Sequence, residues 1–189
     1  MDRREAIRNG ATAQISSEEL AMRMLVLAPT VAFQGREETG FGIVEECARF
    51  LNVSVRSVHC CGSAKLGFSP RSNADFALGS SDLDLAIIDT ECFIRCISAV
   101  IKETRQFRDR TGFAEGAYRS FSTYTVRGIF RPDFMPDCEL ARSWTKFFDD
   151  ISRRHQSVFS KITATVYLSD DSFKMRQAES IDHFIGGYL

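Results

Sequence analysis

Six consecutive residues, Leu83-Asp84-Leu85-Ala86-Ile87-Ile88, place two demands on any fold that contains them. Apart from Asp84 the run is apolar, so it needs cover on both sides and reads as a buried strand. A second acid, Asp82, stands two positions before Asp84. Side chains at i and i+2 of a strand point to the same side. The strand must hold Asp82 and Asp84 on one face while Leu83, Leu85 and Ile87 enter a core on the other. An α/β (α+β) arrangement, a small mixed sheet with helices packed on it, meets both demands.

Ser16-Ser17-Glu18-Glu19 ahead of Leu20, Met22, Met24 and Leu25 marks a helix start, with the stop before Pro29. A second helix follows the period of Ile43, Val44, Cys47, Ala48 and Leu51. Val53, Val55 and Val58 then lead through His59-Cys60-Cys61 to Gly62, a β-branched run halted by a turn. Ser69 to Ser81, rich in Ser, Asn, Asp, Gly and Pro, is a loop. Thr90 is placed to cap a helix whose stripe of Phe93, Ile94, Ile97, Val100 and Ile101 runs to about Phe107. Residues 121–130 recover β character, and Pro132 and Pro136 forbid helix there. After Cys138 the pattern is helical almost to the end: Leu140, Trp144, Phe147, Phe148 and Ile151, then Val158, Ile162 and Val166, then Phe173 to Ile185. The expected organisation is a single domain over 1–189, with N-terminal helices over 1–52, a catalytic core over 53–137 and C-terminal helices over 138–189.

Cys61-Gly62-Ser63-Ala64-Lys65-Leu66-Gly67-Phe68 handles phosphate. A glycine at a strand-to-helix turn lets backbone N–H groups approach an anion, the Ser63 hydroxyl adds a donor, and the helix dipole favours negative charge. Lys65 offers a point charge, although an exposed lysine is the plainer reading of it. Ser81-Asp82-Leu83-Asp84 handles metal, since paired carboxylates on a rigid strand can jointly hold Mg²⁺ or Mn²⁺. Without a cation the same pair repels.

The joint pattern resembles the nucleotidyltransferase superfamily that includes DNA polymerase beta, CCA-adding enzymes and antibiotic nucleotidyltransferases. The resemblance covers roughly residues 55–90. It aligns Gly62-Ser63 with the family's glycine-serine pair, Gly67 with its later glycine, and Asp82 and Asp84 with its first two metal-binding aspartates, with Ser81 before them. It implies a polymerase beta-like fold with a helical C-terminal part. The implied activity is transfer of a nucleoside monophosphate from an NTP, such as ATP, to a hydroxyl, with release of pyrophosphate. A third carboxylate on a later strand belongs to that pattern. Asp133 is the candidate, because it follows the apolar run ending at Phe130; Asp137 and Glu115 are the alternatives, and Arg131-Pro132-Asp133 also reads as a plain turn. Two departures stand out. Eighteen residues separate Ser63 from Asp82, which makes Ser69–Ser80 an insertion or a lid. Phe68 occupies a position where relatives of the cyclic-dinucleotide type often have threonine.

Lys and Arg (24) nearly balance Asp and Glu (25), so no broad basic surface for long nucleic acid is expected. The acceptor stays open among a protein, an RNA end, a small molecule and another nucleotide. The six cysteines have no C-x-x-C pair and the three histidines no metal-ligand spacing, which argues against zinc. The first residues make a poor signal peptide and no run is long enough to span a bilayer, so a cytoplasmic protein with thiol cysteines and no membrane partner is expected. His59 reads as a structural histidine and Trp144, Phe147 and Phe148 as helix core. Tyr118, Arg119 and Tyr124 have no spacing that separates a base pocket from ordinary surface. The rival of a different class is a non-catalytic nucleotide-binding or regulatory module, such as one half of a toxin–antitoxin-like pair, with a protein partner on the C-terminal helices.

Overall fold

A computed structural model describes residues 2–187, so the outer limits of the expected 1–189 domain lie outside the described residues. Strands β1 (Val58–Cys61) and β2 (Leu83–Ile88) pair antiparallel, with Val58 opposite Ile87 and Cys61 opposite Asp84. β2 pairs in parallel with β4 (Ile162–Tyr167), and the two-residue β3 (Ile129–Phe130) closes the order β1-β2-β4-β3. β2 therefore has a strand on each edge and packed layers above and below, which accounts for its apolar composition.

One face of the sheet carries Val58, Cys60, Leu85, Ile87, Phe130, Ile162, Ala164 and Val166. All are buried in a single core with residues of α3 (Glu37–Leu51), α5 (Thr90–Glu103) and α7 (Glu139–Arg154). Trp144, Phe147 and Phe148 belong there, as their helical spacing implied. Phe50 of α3 stacks on Phe147 at 4.1 Å between ring centroids and meets Trp144 edge-on. The opposite face carries Cys61, Ala86, Ile129 and Tyr167, which pack with Leu20 of α2 (Ser17–Ala21) and Phe173, Ile181 and Phe184 of α8 (Asp170–Gly186). α1 (Arg3–Thr12) adds Ile7 to that second cluster.

α1 was not anticipated from the sequence, but α2 starts where a helix was expected, with Ser16 Oγ accepting from Glu19 N–H. It continues as a π-helical turn, Met22–Leu27, to the residue before Pro29. α3 stops at Asn52, whose left-handed conformation is the usual helix exit. All six cysteines are buried and free.

Four expectations need correction. Asp89, not Thr90, caps α5: its carboxylate accepts from Cys92 N–H at 2.8 Å, while Thr90 is the first helical residue and bonds the Leu168 carbonyl. α5 ends at Glu103 rather than Phe107, because Arg105, Gln106 and Phe107 all adopt positive φ. Residues expected as strand from 121 onward are helix α6 (Ala117–Val126), and only Ile129–Phe130 is extended. Phe121 decides this, since it is buried among Phe107, Phe113 and Phe130 and that packing overrides the β preference of its neighbours. The region 138–189 is not wholly helical, because it contributes β4. Val158, Ile162 and Val166 recur every four residues, a spacing that suits an α-helix and also keeps residues on one side of a strand.

Candidate functional site

On the second face of the sheet, alongside α8, a cavity of about 460 Å³ opens above β2 and β4. Its floor is Asp84 with Thr163 and Thr165, whose partners on the other side of the sheet, Leu85, Ile162 and Ala164, are in the core. The alternation in Ile162-Thr163-Ala164-Thr165-Val166 thus builds core below and a polar floor above.

The helix that follows β1, α4 (Gly62–Leu66), begins at the cavity, and Gly62 and Ser63 line it. Gly62 has φ +65°, and a Cβ there would lie 2.8 Å from Asp84 Oδ2. Only glycine satisfies both the backbone and the close approach. α4 has five residues, too few for the macrodipole invoked from the sequence to count for much, so what the turn offers is its N–H groups and the half-buried Ser63.

Asp84 accepts from Thr163 Oγ1 at 2.9 Å. Solvent reaches the side chain, but it sits deep enough in the cavity that desolvation raises its pKa. Asp82 and Asp133 push the same way, while Thr163 and Arg131 oppose the shift. Three acids therefore share one electrostatic neighbourhood. They do not share equivalent positions. Asp82 precedes the strand by one residue and accepts from Ser160 Oγ at 2.5 Å. Asp133 lies in a 3₁₀ turn, Pro132–Phe134, not on a strand, and Arg131 holds it in an ion pair at 2.7 Å. The residue directly beside Asp84 on the neighbouring strand is Thr163, not a carboxylate. Among the described residues, no three or more His, Cys, Asp or Glu side chains form a group able to hold a metal ion. Asp137 pairs with Arg142 at 2.7 Å.

Three sequence candidates lie outside the cavity lining: Asp82, Lys65 and Ser81. Lys65 is buried, its Nζ donates to the Ala28 carbonyl at 2.6 Å, and burial lowers its pKa. It fastens α4 to the end of the π-helical turn and does not line the cavity. Ser81 closes the preceding loop: its Oγ accepts from Ala77 N–H at 3.0 Å and its carbonyl from Ser160 N–H. His59 is half-buried with its pKa lowered by burial, as a structural histidine would be. Tyr124 stacks on Phe134 and Tyr118 lies under Arg110, both outside the cavity lining.

The cations at the cavity come from residues that sequence reasoning passed over: Arg71, Arg131, Lys161 and Arg176. Burial is the largest single influence and works against the charge on Arg131, but the hydrogen bond and charge of Asp133, with Tyr124 and Tyr167, together outweigh it, so its pKa is raised and the guanidinium stays charged. Arg176 pairs with Glu179. The signal for Lys161 and Thr163 was the period-two alternation of β4; the arginines had none.

The loop 69–81 is fastened rather than free. Phe76 N–H bonds the Gly67 carbonyl and Gly79 N–H the Val158 carbonyl. Arg4 reaches Asn73 and Asp75, and His183 contacts the Arg71 carbonyl at 3.1 Å. Phe68 is buried against Phe184.

Fold and site together define a mixed α/β protein with a four-stranded sheet and a cavity lined by Asp84, Asp133, a glycine turn and several cationic side chains. Comparison with protein-family models, with curated proteins and with solved structures found no match. Among the described residues, no helix is long and apolar enough to cross a membrane.

Proposed function

We propose that this protein is a metal-dependent nucleotidyltransferase of polymerase beta-like fold, which moves a nucleoside monophosphate from an NTP to a hydroxyl acceptor. The observation that carries the reading is the approach of Gly62 to Asp84: a turn with free N–H groups lies against a carboxylate, so one ligand can meet both. A triphosphate with its divalent cation is such a ligand. The donors present suit magnesium, which takes one or two carboxylates and fills its remaining positions with substrate phosphates and water rather than with a protein cage. Asp82 and Asp84 are the carboxylates assigned to it, and their mutual repulsion is what a cation would relieve. When bound, the cation would neutralise charge on the attacking and departing oxygens.

The N–H groups at Gly62 and Ser63 bind phosphate oxygens, and Arg131, Lys161 and Arg176 offset the charge that collects on them. The acceptor oxygen bonds to the α-phosphorus as the bond to the β-phosphate oxygen breaks. Its proton passes to a carboxylate of the site, Asp84 being the acid that lies against the glycine turn. Asp133 holds Arg131 in position.

A second reading, binding without turnover, is favoured by a specific feature: Thr163 beside Asp84, with Asp133 already paired to Arg131. Pyrophosphate release from each of the four NTPs with Mg²⁺ or Mn²⁺ separates the two. Release that an Asp82→Ala/Asp84→Ala double variant loses supports transfer. Thermal stabilisation by Mg²⁺ and NTP with no release, under every acceptor tried, supports the binding module. Neither effect would sink both.

A further inference from the structure

The cavity does not end at Asp84. It continues round the edge of β4 toward Met135, Ala141 and Trp144, and Ala164 is part of its wall. The hydrogen bonds at that edge can be followed residue by residue. Leu83 N–H bonds the Lys161 carbonyl and Asp89 N–H the Tyr167 carbonyl. In a parallel ladder this parity turns the odd-numbered residues of β4 toward β2 and turns Ile162, Ala164 and Val166 toward β3. Val166 pairs with Phe130, and Leu168 N–H bonds the Gly128 carbonyl. Ile162 N–H donates to Ser152 Oγ of α7 at 2.9 Å. The residue that would pair with Ala164 is residue 132, a proline without an N–H, which leads the chain into a 3₁₀ turn. Among the described residues, no hydrogen bond reaches the Ala164 N–H or C=O on that side. One donor and one acceptor, side by side on a rigid strand, are left facing a cavity, although buried backbone groups are almost always paired.

We infer that Ala164 is the base-recognition point of the site: its N–H and C=O bind the edge of a nucleobase that presents a neighbouring acceptor and donor. The inference rests on the nucleotide reading above and names which part of the nucleotide goes where. A polypeptide strand is the poorer occupant, because it needs successive open positions and those on both sides, Ile162 and Val166, are taken. A base needs one pair. The edge lies about two strand spacings from β2, roughly 10 Å, a gap that a ribose and a phosphate bridge to Asp84. Met135 and Trp144 supply apolar surface near the base plane.

Amide nitrogen–proton NMR of the full chain tests this with two classes of probe. Inorganic tripolyphosphate reports on Gly62 and Ser63; adenosine, guanosine, cytidine and uridine, which have no phosphate, report on Ala164. The expected result is that at least one nucleoside shifts the Ala164 amide and that its NTP shifts all three. Ala164→Pro removes the N–H that faces the cavity without deleting a bond to β2. It also fixes φ and adds ring atoms at a core position, so the Gly62, Ser63 and β2 amide shifts of the free variant must first match those of the parent. It is expected to weaken that NTP roughly tenfold and leave tripolyphosphate binding unchanged. If tripolyphosphate shifts Gly62 and Ser63 while no nucleoside or NTP moves Ala164, the base assignment is wrong and the phosphate site survives. If neither probe class binds, the nucleotide reading falls and this inference with it.

Discussion

The two faces of the sheet are built on opposite rules. One is closed, with Val58, Leu85, Ile87, Phe130, Ile162 and Val166 all buried under three long helices. The other mixes an apolar patch under α8 with an open floor of Asp84, Thr163 and Thr165. Burial on the closed face stabilises the fold by removing apolar area from water. The open face gives up that gain, and it gathers acids whose charges oppose one another. Closed core and open cavity are thus divided between the two sides of the same strands, β2 and β4, at alternate residues.

Substitutions can break this division or sharpen it. Phe130→Ala on the closed face leaves a hole among Phe121, Trp144 and Val166 and is expected to cost about 3–5 kcal/mol in urea unfolding. An equal loss from Thr163→Ala would show that the open face supports the fold just as much. Gly62→Ala comes next. A side chain at φ +65° costs about 1–2 kcal/mol, and its Cβ would press on Asp84 Oδ2, so phosphate binding is expected to fall along with the melting temperature.

Asp84→Asn is expected to act in the opposite direction, raising the melting temperature of the cation-free protein while abolishing any response to Mg²⁺ and NTP. The sign follows from the raised pKa. The folded protein holds the Asp84 proton more tightly than the unfolded chain does, so this contribution to stability is full below the unfolded value and is lost as pH rises through the folded one. The advantage of the variant is therefore largest at neutral pH and vanishes at acid pH, which thermal melts at several pH values will show.

The smallest effect belongs to the closed side. Arg154 of α7 holds Glu46 of α3 through two hydrogen bonds, and Arg154→Ala is expected to cost less than about 1 kcal/mol because the pair is exposed. Arg154 lowers the Glu46 pKa, so this pair contributes above the usual carboxylate range and fades as pH falls, the reverse of Asp84.

How far the sequence revealed each face follows from the same contrast. β2 and α3 were legible because burial on a fixed period leaves a strong mark, and Gly62-Ser63 and Asp84 were legible because few other residues suit a strained turn and a carboxylate floor. β4 was not. Its apolar members fall every second residue, so taking every fourth of them imitates a helix, and only the threonines between betray the strand. α6 was misread because Thr123, Tyr124 and Thr125 favour strands locally, whereas Phe121 fixes the segment through contacts with the rings of Phe107, Phe113 and Phe130 outside the helix. Lys65 shows the limit for charge: a lysine after a glycine turn suggests phosphate, yet its stem length lets Nζ reach the Ala28 carbonyl instead. Arg131 and Arg176 carry no local pattern, since their place at the cavity depends on how β3 and α8 dock.

The parallel pairing of β2 with β4 also has a consequence for synthesis. β1 and β2 can form their hairpin soon after residue 88 leaves the ribosome, but Leu83 finds Ile162 only when most of the chain has been made. Until then one edge of an apolar strand has no neighbour, a state prone to wrong pairing. The cavity rim is later still, because His183 meets the Arg71 carbonyl near the end of the described chain. A nascent chain stalled before β4 would carry the glycine turn, Asp82 and Asp84 without the threonines that complete the cavity floor.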